Sequence, residues 1–286
     1  MQSCSALASV RPRTNEKGAV MRRIWLVAPA AMAMVCGSAP IVGAATAGPA
    51  LFEVHAPRIP GPSLGQPGQA PVRNWTSTNW SGYALAGSAI SDATGSWTVP
   101  QVGQPKNVRQ VQYSSTWVGI DGYNNSNLIQ AGTEQDWING KPFYQAWWEI
   151  LPAPETPIPS LAINPGDSMS VSLSQGLPNW TITVTDHTTG QTYSIQQPYS
   201  GPLTSAEWIQ EAPTLGSHVA KLAADSTVVF DSGTVNGASP GLTNAEQGAM
   251  FRGRKQISTP SLPDGDVSPD GFAVAFGNLA PPPPGS

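Results

Sequence analysis

Apolar positions along this chain recur at a period of two far more often than at the helical period. Trp180-Thr181-Ile182-Thr183-Val184-Thr185 alternates strictly, and Thr188-Thr189-Gly190-Gln191-Thr192-Tyr193 turns it back, which predicts a hairpin. Ser96-Trp97-Thr98-Val99-Pro100 and Ser168 to Leu173 are further runs of β-branched, aromatic and hydroxyl side chains. Gly166-Asp167 and Thr189-Gly190 punctuate them as turns. A single helical turn is expected, near Val219 to Ala223. Many short antiparallel strands at this spacing predict an all-β domain, a sandwich or a barrel.

Alternation also assigns faces. In Tyr113 to Asp121, Tyr113, Ser115, Trp117 and Gly119 point one way, while Val118 and Ile120 point to the core. Gln145, Trp147 and Glu149 share a face, and so do Glu207, Ile209 and Glu211, opposite Ala206, Trp208 and Gln210. Polar and aromatic side chains thus gather where a sheet could line a groove. Trp117, Trp147 and Trp148 fit equally well as core aromatics.

The ends of the chain break the β pattern. Met21-Arg22-Arg23, the apolar run Ile24 to Val35 and the small residues ending at Ala45-Thr46-Ala47 read as a secretory signal, with translation starting at Met21. The apolar run is shorter than the ~20 residues a spanning helix needs. Residues 1–47 are therefore expected to be an upstream extension and signal peptide, and the mature protein to be secreted, extracellular and free of the membrane. Residues 48–75, rich in Pro, Gly, Ala and Gln, read as a propeptide or linker without a core of its own. Residues 76–279 have the size of one large β domain, and 280–286, with Pro281 to Pro284, form a tail. A monomer is expected.

Removing the leader changes the chemistry. Cys4 and Cys36 both fall within it, so the mature chain offers no thiol for catalysis, metal binding or disulfides. From residue 74 onward there are 16 Asp and Glu against 7 Lys and Arg, a net charge of −9, whereas the whole chain carries −4. An acidic surface disfavours nucleic acids and anionic membranes as partners. Charged residues make up only 11% of the chain, against a typical ~25%. A fold with few ion pairs loses little when its carboxylates are protonated, so the composition suits work at low pH.

The histidines are His55, in the leader, His187, in the hairpin turn, and His218, in a Gly/Ser loop. None sits in a metal-binding spacing or beside a nucleophile motif, and no Gly-rich phosphate loop occurs. Neither a cofactor nor a metal is called for. If the chain is an enzyme, carboxylates and amides do the chemistry.

Four stretches in order resemble the glutamic peptidase (eqolisin) family: Thr116-Trp117-Val118-Gly119-Ile120-Asp121-Gly122, Leu128-Ile129-Gln130-Ala131-Gly132, Tyr144-Gln145-Ala146-Trp147-Trp148-Glu149 and Ala206-Glu207-Trp208-Ile209-Gln210-Glu211. Asn79-Trp80-Ser81-Gly82 is similar to the first strand of the family domain. The lack of cysteines places the match nearest a cysteine-free, bacterial-looking branch. The resemblance implies a concanavalin-like antiparallel β-sandwich with one sheet curved into a substrate groove, and an acid endopeptidase acting on polypeptides. Carried over by motif, the catalytic pair is Gln130 and Glu211, with Glu207 the acid most easily confused with the latter. Trp117 matches a groove tryptophan, Glu149 a supporting acid, and Asp121, Gln145 and Trp147 complete the supporting set; Asp121 also reads as a turn former. Gln145 stands where the family pattern carries an acid. Two alternatives use the same residues: a retaining glycoside hydrolase with Glu149 and Glu211 as its carboxylates, and a carbohydrate-binding module using the tryptophans alone. The segment Leu51 to Arg73 is expected to cover the groove until acid releases it, its His55, Arg58 and Arg73 facing an acidic domain.

Overall fold

The computed structural model describes residues 53–63, 75–266 and 270–285. The expected signal region and most of the expected linker, including Arg73, lie outside the described residues. In chain order the strands are β1 (Glu53–Val54), β2 (Trp75–Ser77), β3 (Trp80–Ala86), β4 (Asp92–Thr98), β5 (Ser115–Ile120), β6 (Ile129–Ile138), β7 (Lys141–Ile150), β8 (Thr156–Pro157) and β9 (Ser168–Gln175). They continue as β10 (Trp180–Asp186), β11 (Gln191–Gln197), β12 (Ser205–Glu211), β13 (Thr214–Leu215), β14 (His218–Val219), β15 (Val228–Val235), β16 (Gln247–Arg252), β17 (Lys255–Pro260) and β18 (Phe272–Phe276). The hairpin read from alternation is β10–β11, paired from Trp180↔Gln197 to Asp186↔Gln191.

The helical turn expected at Val219 to Ala223 is absent. Val219 lies in β14, Leu222 bridges Tyr113, and the amides of Ala220 and Ala223 donate to Pro213 and Tyr113 carbonyls. The apolar spacing that suggested a helix serves two separate clusters instead: Leu222 packs with Ala212 and Met250, and Ala223 with Val102 and Trp137.

One hydrogen-bonded path runs β11-β10-β9-β4-β15-β18-β17-β16-β3-β12-β5-β6-β7-β8, with β2 parallel beside β16. It doubles over into two layers. Trp97, Val171, Leu173, Ile182, Phe230 and Phe272 from one layer meet Val118, Ile120, Ala131, Ala146, Ala206 and Trp208 from the other in the main core. Each large apolar side chain closed away there contributes about 1.5–3 kcal/mol. This is an antiparallel sandwich, one of the two architectures that the alternation allowed and the one that the family resemblance implied.

The two layers differ on their outer faces. β10 alternates buried and half-buried residues, as a sheet with one wet face should. β5 and β12 are buried along their whole length. Their second face is closed by Trp75, Trp80, Trp117, Leu128, Trp147 and Ile209, and by the extended segment 53–63 lying across it.

On that face Gly132 stands in register between Trp117 and Trp147. A Cβ there would lie 2.2 Å from the Thr116 carbonyl oxygen and 2.6 Å from Trp117 Cβ. Gly132→Ala is therefore expected to push Trp117 and the β5 backbone aside and to lower stability by about 1–3 kcal/mol, the usual cost of overpacking. Urea unfolding of the two proteins measures it; equal midpoints would contradict the tight approach.

Candidate active site

Antiparallel register lays the covered face out in rows. Glu207, Gly119, Gln130 and Glu149 form one row, Ile209, Trp117, Gly132 and Trp147 the next, and Glu211, Ser115, Glu134 and Gln145 the third. The period of two puts all of them on the same side, opposite the main core. Both tryptophan rings belong to the cluster on this face, and each also donates: Trp147 Nε1–H to Ser115 Oγ at 3.0 Å, Trp117 Nε1–H to Glu211 Oε2 at 2.8 Å.

One residue of segment 53–63, His55, joins the rows. The Gln130 Nε2 amide donates to the carbonyl oxygen of His55 at 2.7 Å and to Glu149 Oε2 at 2.7 Å. The His55 backbone N–H donates to the same Glu149 oxygen at 3.1 Å. Its ring lies flat on Trp147, centroids 3.7 Å apart at 9°. Nδ1 is 3.3 Å from Glu211 Oε2, and Nε2 is 3.2 Å from Glu155 Oε2 and 3.8 Å from Glu134 Oε1. The next carbonyl, that of Ala56, accepts from Trp80 Nε1 at 3.0 Å and from Asn79 Nδ2 at 3.2 Å. Asn79 also donates to Glu211 Oε1 at 3.3 Å. The segment thus threads the face as an extended peptide whose backbone groups are met by side chains.

Burial dominates the electrostatics. It opposes charge on His55, yet hydrogen bonds to Glu134, Glu155 and Glu211 outweigh it and hold the imidazole well above its ordinary pKa. Burial pushes Glu149 up to about 8, with His55 opposing and the Glu211 charge adding to the rise. It raises Glu211 too, against the pull of His55, Trp117 and Asn79. Burial, then the neighbouring acids, raise Glu53 and Glu134 well above the carboxylate range. Glu155 is held low despite burial, by its hydrogen bonds to Glu134 and His55. Among the described residues, Glu53, His55 and Glu134 each offer a ligand atom within 4.8 Å of the others, as do Asp231, Asp264 and Asp270 elsewhere, so each group could hold an ion.

The family model described as "Peptidase A4 family" matches residues 78–274. The chain belongs to this family, that of the glutamic peptidases. It is 31% identical over 195 residues to Aspergillopepsin-2 of Aspergillus niger, the match covering 59% of this chain and 68% of the relative. It is 31% identical over 140 residues to Scytalidopepsin B of Scytalidium lignicola, covering 47% of this chain and 51% of that protein. The chain thus spans about half to two thirds of the relatives' lengths. In fold it is similar to scytalido-glutamic peptidase solved with a transition-state analogue inhibitor, at TM-score 0.59 and 24% identity, covering 70% of this chain and 98% of that one. A further structure, of SCP-B, an eqolisin in complex with the tripeptide Ala-Ile-His, matches at TM-score 0.54 and 23% identity over 70% of this chain and 98% of that one. Membership of a peptide-hydrolysing family favours the peptidase reading over the two sugar-directed ones.

In this glutamic peptidase, Gln130, Glu211, Trp117, Trp147 and Glu149 all reach His55 or the side chains touching it. Gln145 stands at the rim, its Nε2 3.5 Å from Glu134 Oε2. Glu207 is fully buried in the first row, and burial, with the nearby Asp121 charge, raises its pKa well above the ordinary value. Asp121 has a positive φ of 71° and serves as a hub for the backbone: Tyr199 Oη, Asn125 Nδ2 and the amides of Leu203 and Thr204 all donate to it. Sequence reading passed over Asn79, Glu134 and Glu155 as individual site residues. The alternation that put Gln130 on the face also puts Glu134, four residues on, there; nothing local marks Glu155, which lies in the β7–β8 loop.

These shifts fix how stability depends on pH. A carboxyl whose folded pKa is raised keeps its proton when the unfolded chain has lost it, so stability falls as pH rises from the unfolded value toward the folded one. Glu149, about 8, and Asp225, raised by burial to about 7, both act this way, as do Glu53 and Glu134 by direction. His55, raised, adds stability that is present below its unfolded pKa and lost as pH climbs through the folded one; Glu155, lowered, acts oppositely in strong acid. The melting temperature is expected to be highest in mild acid and to fall between about pH 5 and pH 8, across the reference carboxyl and histidine range. Asp225→Asn should flatten part of that fall. A melting temperature that peaks near neutrality would contradict the buried-acid account.

Proposed function

We propose that the chain is a secreted acid endopeptidase in which Glu211 is the general base and Gln130 stabilises the oxyanion. The observation that carries this reading is the 2.7 Å contact from Gln130 Nε2 to a peptide carbonyl, that of His55, with Glu211 Oε2 3.3 Å from the same residue's ring. A substrate peptide lying as the leader lies would present its carbonyl to an N–H donor and its flank to a carboxylate.

In that pose ionised Glu211 takes a proton from a water, the water oxygen attacks the carbonyl carbon, and the proton passes to the leaving amine. Gln130 Nε2–H holds the oxygen as negative charge grows on it, a contribution of about 2.7–4 kcal/mol for one such donor. An amide does not titrate, so this donor works equally in acid. Trp117 Nε1–H and Asn79 Nδ2–H orient the two oxygens of Glu211. Glu149, its pKa pushed up by burial to about 8, is neutral in acid; on ionising it places a negative charge beside the developing oxyanion, which sets the alkaline limit. The charged Met21-Arg22-Arg23 start and the apolar run after it support export, and polypeptides are the partners implied.

Hydrolysis of a denatured protein substrate is expected on the acid side of neutrality. Glu211→Gln should abolish it, and Gln130→Ala should lower kcat roughly 100- to 1,000-fold, as loss of one oxyanion donor does, with circular dichroism unchanged. Proteolysis indifferent to either substitution would overturn the assignment.

A further inference from the structure

The side chain seated in the groove is the leader's only histidine, and every partner of its ring is an acid or an aromatic face. A neutral imidazole has one N–H to donate, yet both ring nitrogens of His55 face carboxyl oxygens, Glu211 on one side and Glu155 and Glu134 on the other. A planar cation satisfies both sides at once. The flat stack on Trp147 at 3.7 Å is the geometry a planar cation takes over an indole. Glu134 is buried, and its Oε1 lies 3.8 Å from His55 Nε2 on the same side as Glu155 Oε2. Glu134, Trp147 and Glu155 all belong to the domain rather than to the leader, so the pocket persists when another peptide takes the leader's place.

We infer that Trp147, Glu134 and Glu155 form a subsite for a cationic, planar side chain, histidine or arginine, on the substrate residue whose carbonyl lies at Gln130. This rests on the peptidase reading and adds to it the class of residue preferred before the cleaved bond. Trp147 supplies the stacking floor. Glu155, whose carboxylate is kept ionised by its neighbours, supplies the charge, and Glu134 the second oxygen for a forked guanidinium. Gln145, half-buried with its Nε2 3.5 Å from Glu134 Oε2, adds no acid of its own. The specificity therefore resides in two acids that the catalytic step does not use.

The test uses peptides of the form Ala-Ala-Val-X-Ala-Ala, with X histidine, arginine, leucine or glutamate, and mass spectrometry to locate the cut. Substrates are given to the full chain and to its His55→Ala variant, in which the leader no longer fills the pocket, at about pH 5, between the reference pKa values of glutamate and histidine. Cleavage after X should be at least about tenfold faster in kcat/KM for histidine and arginine than for leucine, the worth of one charge-assisted contact. The ratio should collapse to within about twofold in Glu155→Gln, and should fall in Glu134→Gln, which serves if the first variant does not fold. Cleavage after X with a ratio near one, or a ratio that Glu155→Gln leaves unchanged, overturns the subsite and leaves the peptidase reading standing. Failure of both folded chains to cut any of these peptides or a denatured protein overturns the peptidase reading and the subsite with it.

Discussion

Glu53, Glu134, Glu149, Glu155 and Glu211 are gathered around one imidazole in a space closed to water. Taking each ionised carboxylate out of water costs several kcal/mol even after relaxation, so the group cannot all be charged at once. The structure resolves the conflict in two ways. Some acids keep their protons, Glu149 and Glu134 among them, and others are paired with hydrogen-bond donors, as Glu155 and Glu211 are. Both solutions are easier in acid, where protons are plentiful and the imidazole is charged. The buried acids therefore favour the folded state in acid, and the low share of charged residues in the sequence acts in the same sense.

That arrangement needs a sheet that is dry on both sides. β5 and β12 are buried throughout because the main core closes one face and tryptophans with segment 53–63 close the other. Glycine spacing makes room: Gly132 lets Trp117 lie against β6, and from there the indole N–H reaches Glu211. A wall residue of the groove is in this way also a hydrogen-bond donor to the proposed base. The same low dielectric that raises the acids' pKa values strengthens each of these contacts.

Segment 53–63 shows how a stretch with no hydrophobic period can still be tightly placed. Residues before proline favour extended backbone, and Ala56, before Pro57, and Ile59, before Pro60, keep the segment straight across the groove. Gln130, Asn79 and Trp80 take up its backbone carbonyls, and Arg58 anchors it by donating to the Tyr123 and Thr76 carbonyls while lying over the Tyr123 ring at 4.6 Å. Its contacts are made by the domain's side chains, which no reading of the segment alone can supply.

Periodicity by itself was enough to assign the faces of β5, β7 and β12, because in a strand the direction of a side chain follows from counting by two. The β10–β11 hairpin and the all-β class were legible for the same reason, and the motifs around Gln130 and Glu211 carried the family. The spacing near Val219 misled, since residues that look like one apolar stripe were divided between two clusters that only the folded chain defines. The meeting of His55 with Glu211, 156 positions apart, and with Glu155, 100 apart, lay beyond any local pattern. Local sequence determined which way each side chain points, a property of the backbone's own geometry. Which side chains share a water-free space, and therefore which acids hold their protons, was decided by tertiary structure, because burial depends on every strand that closes over the site.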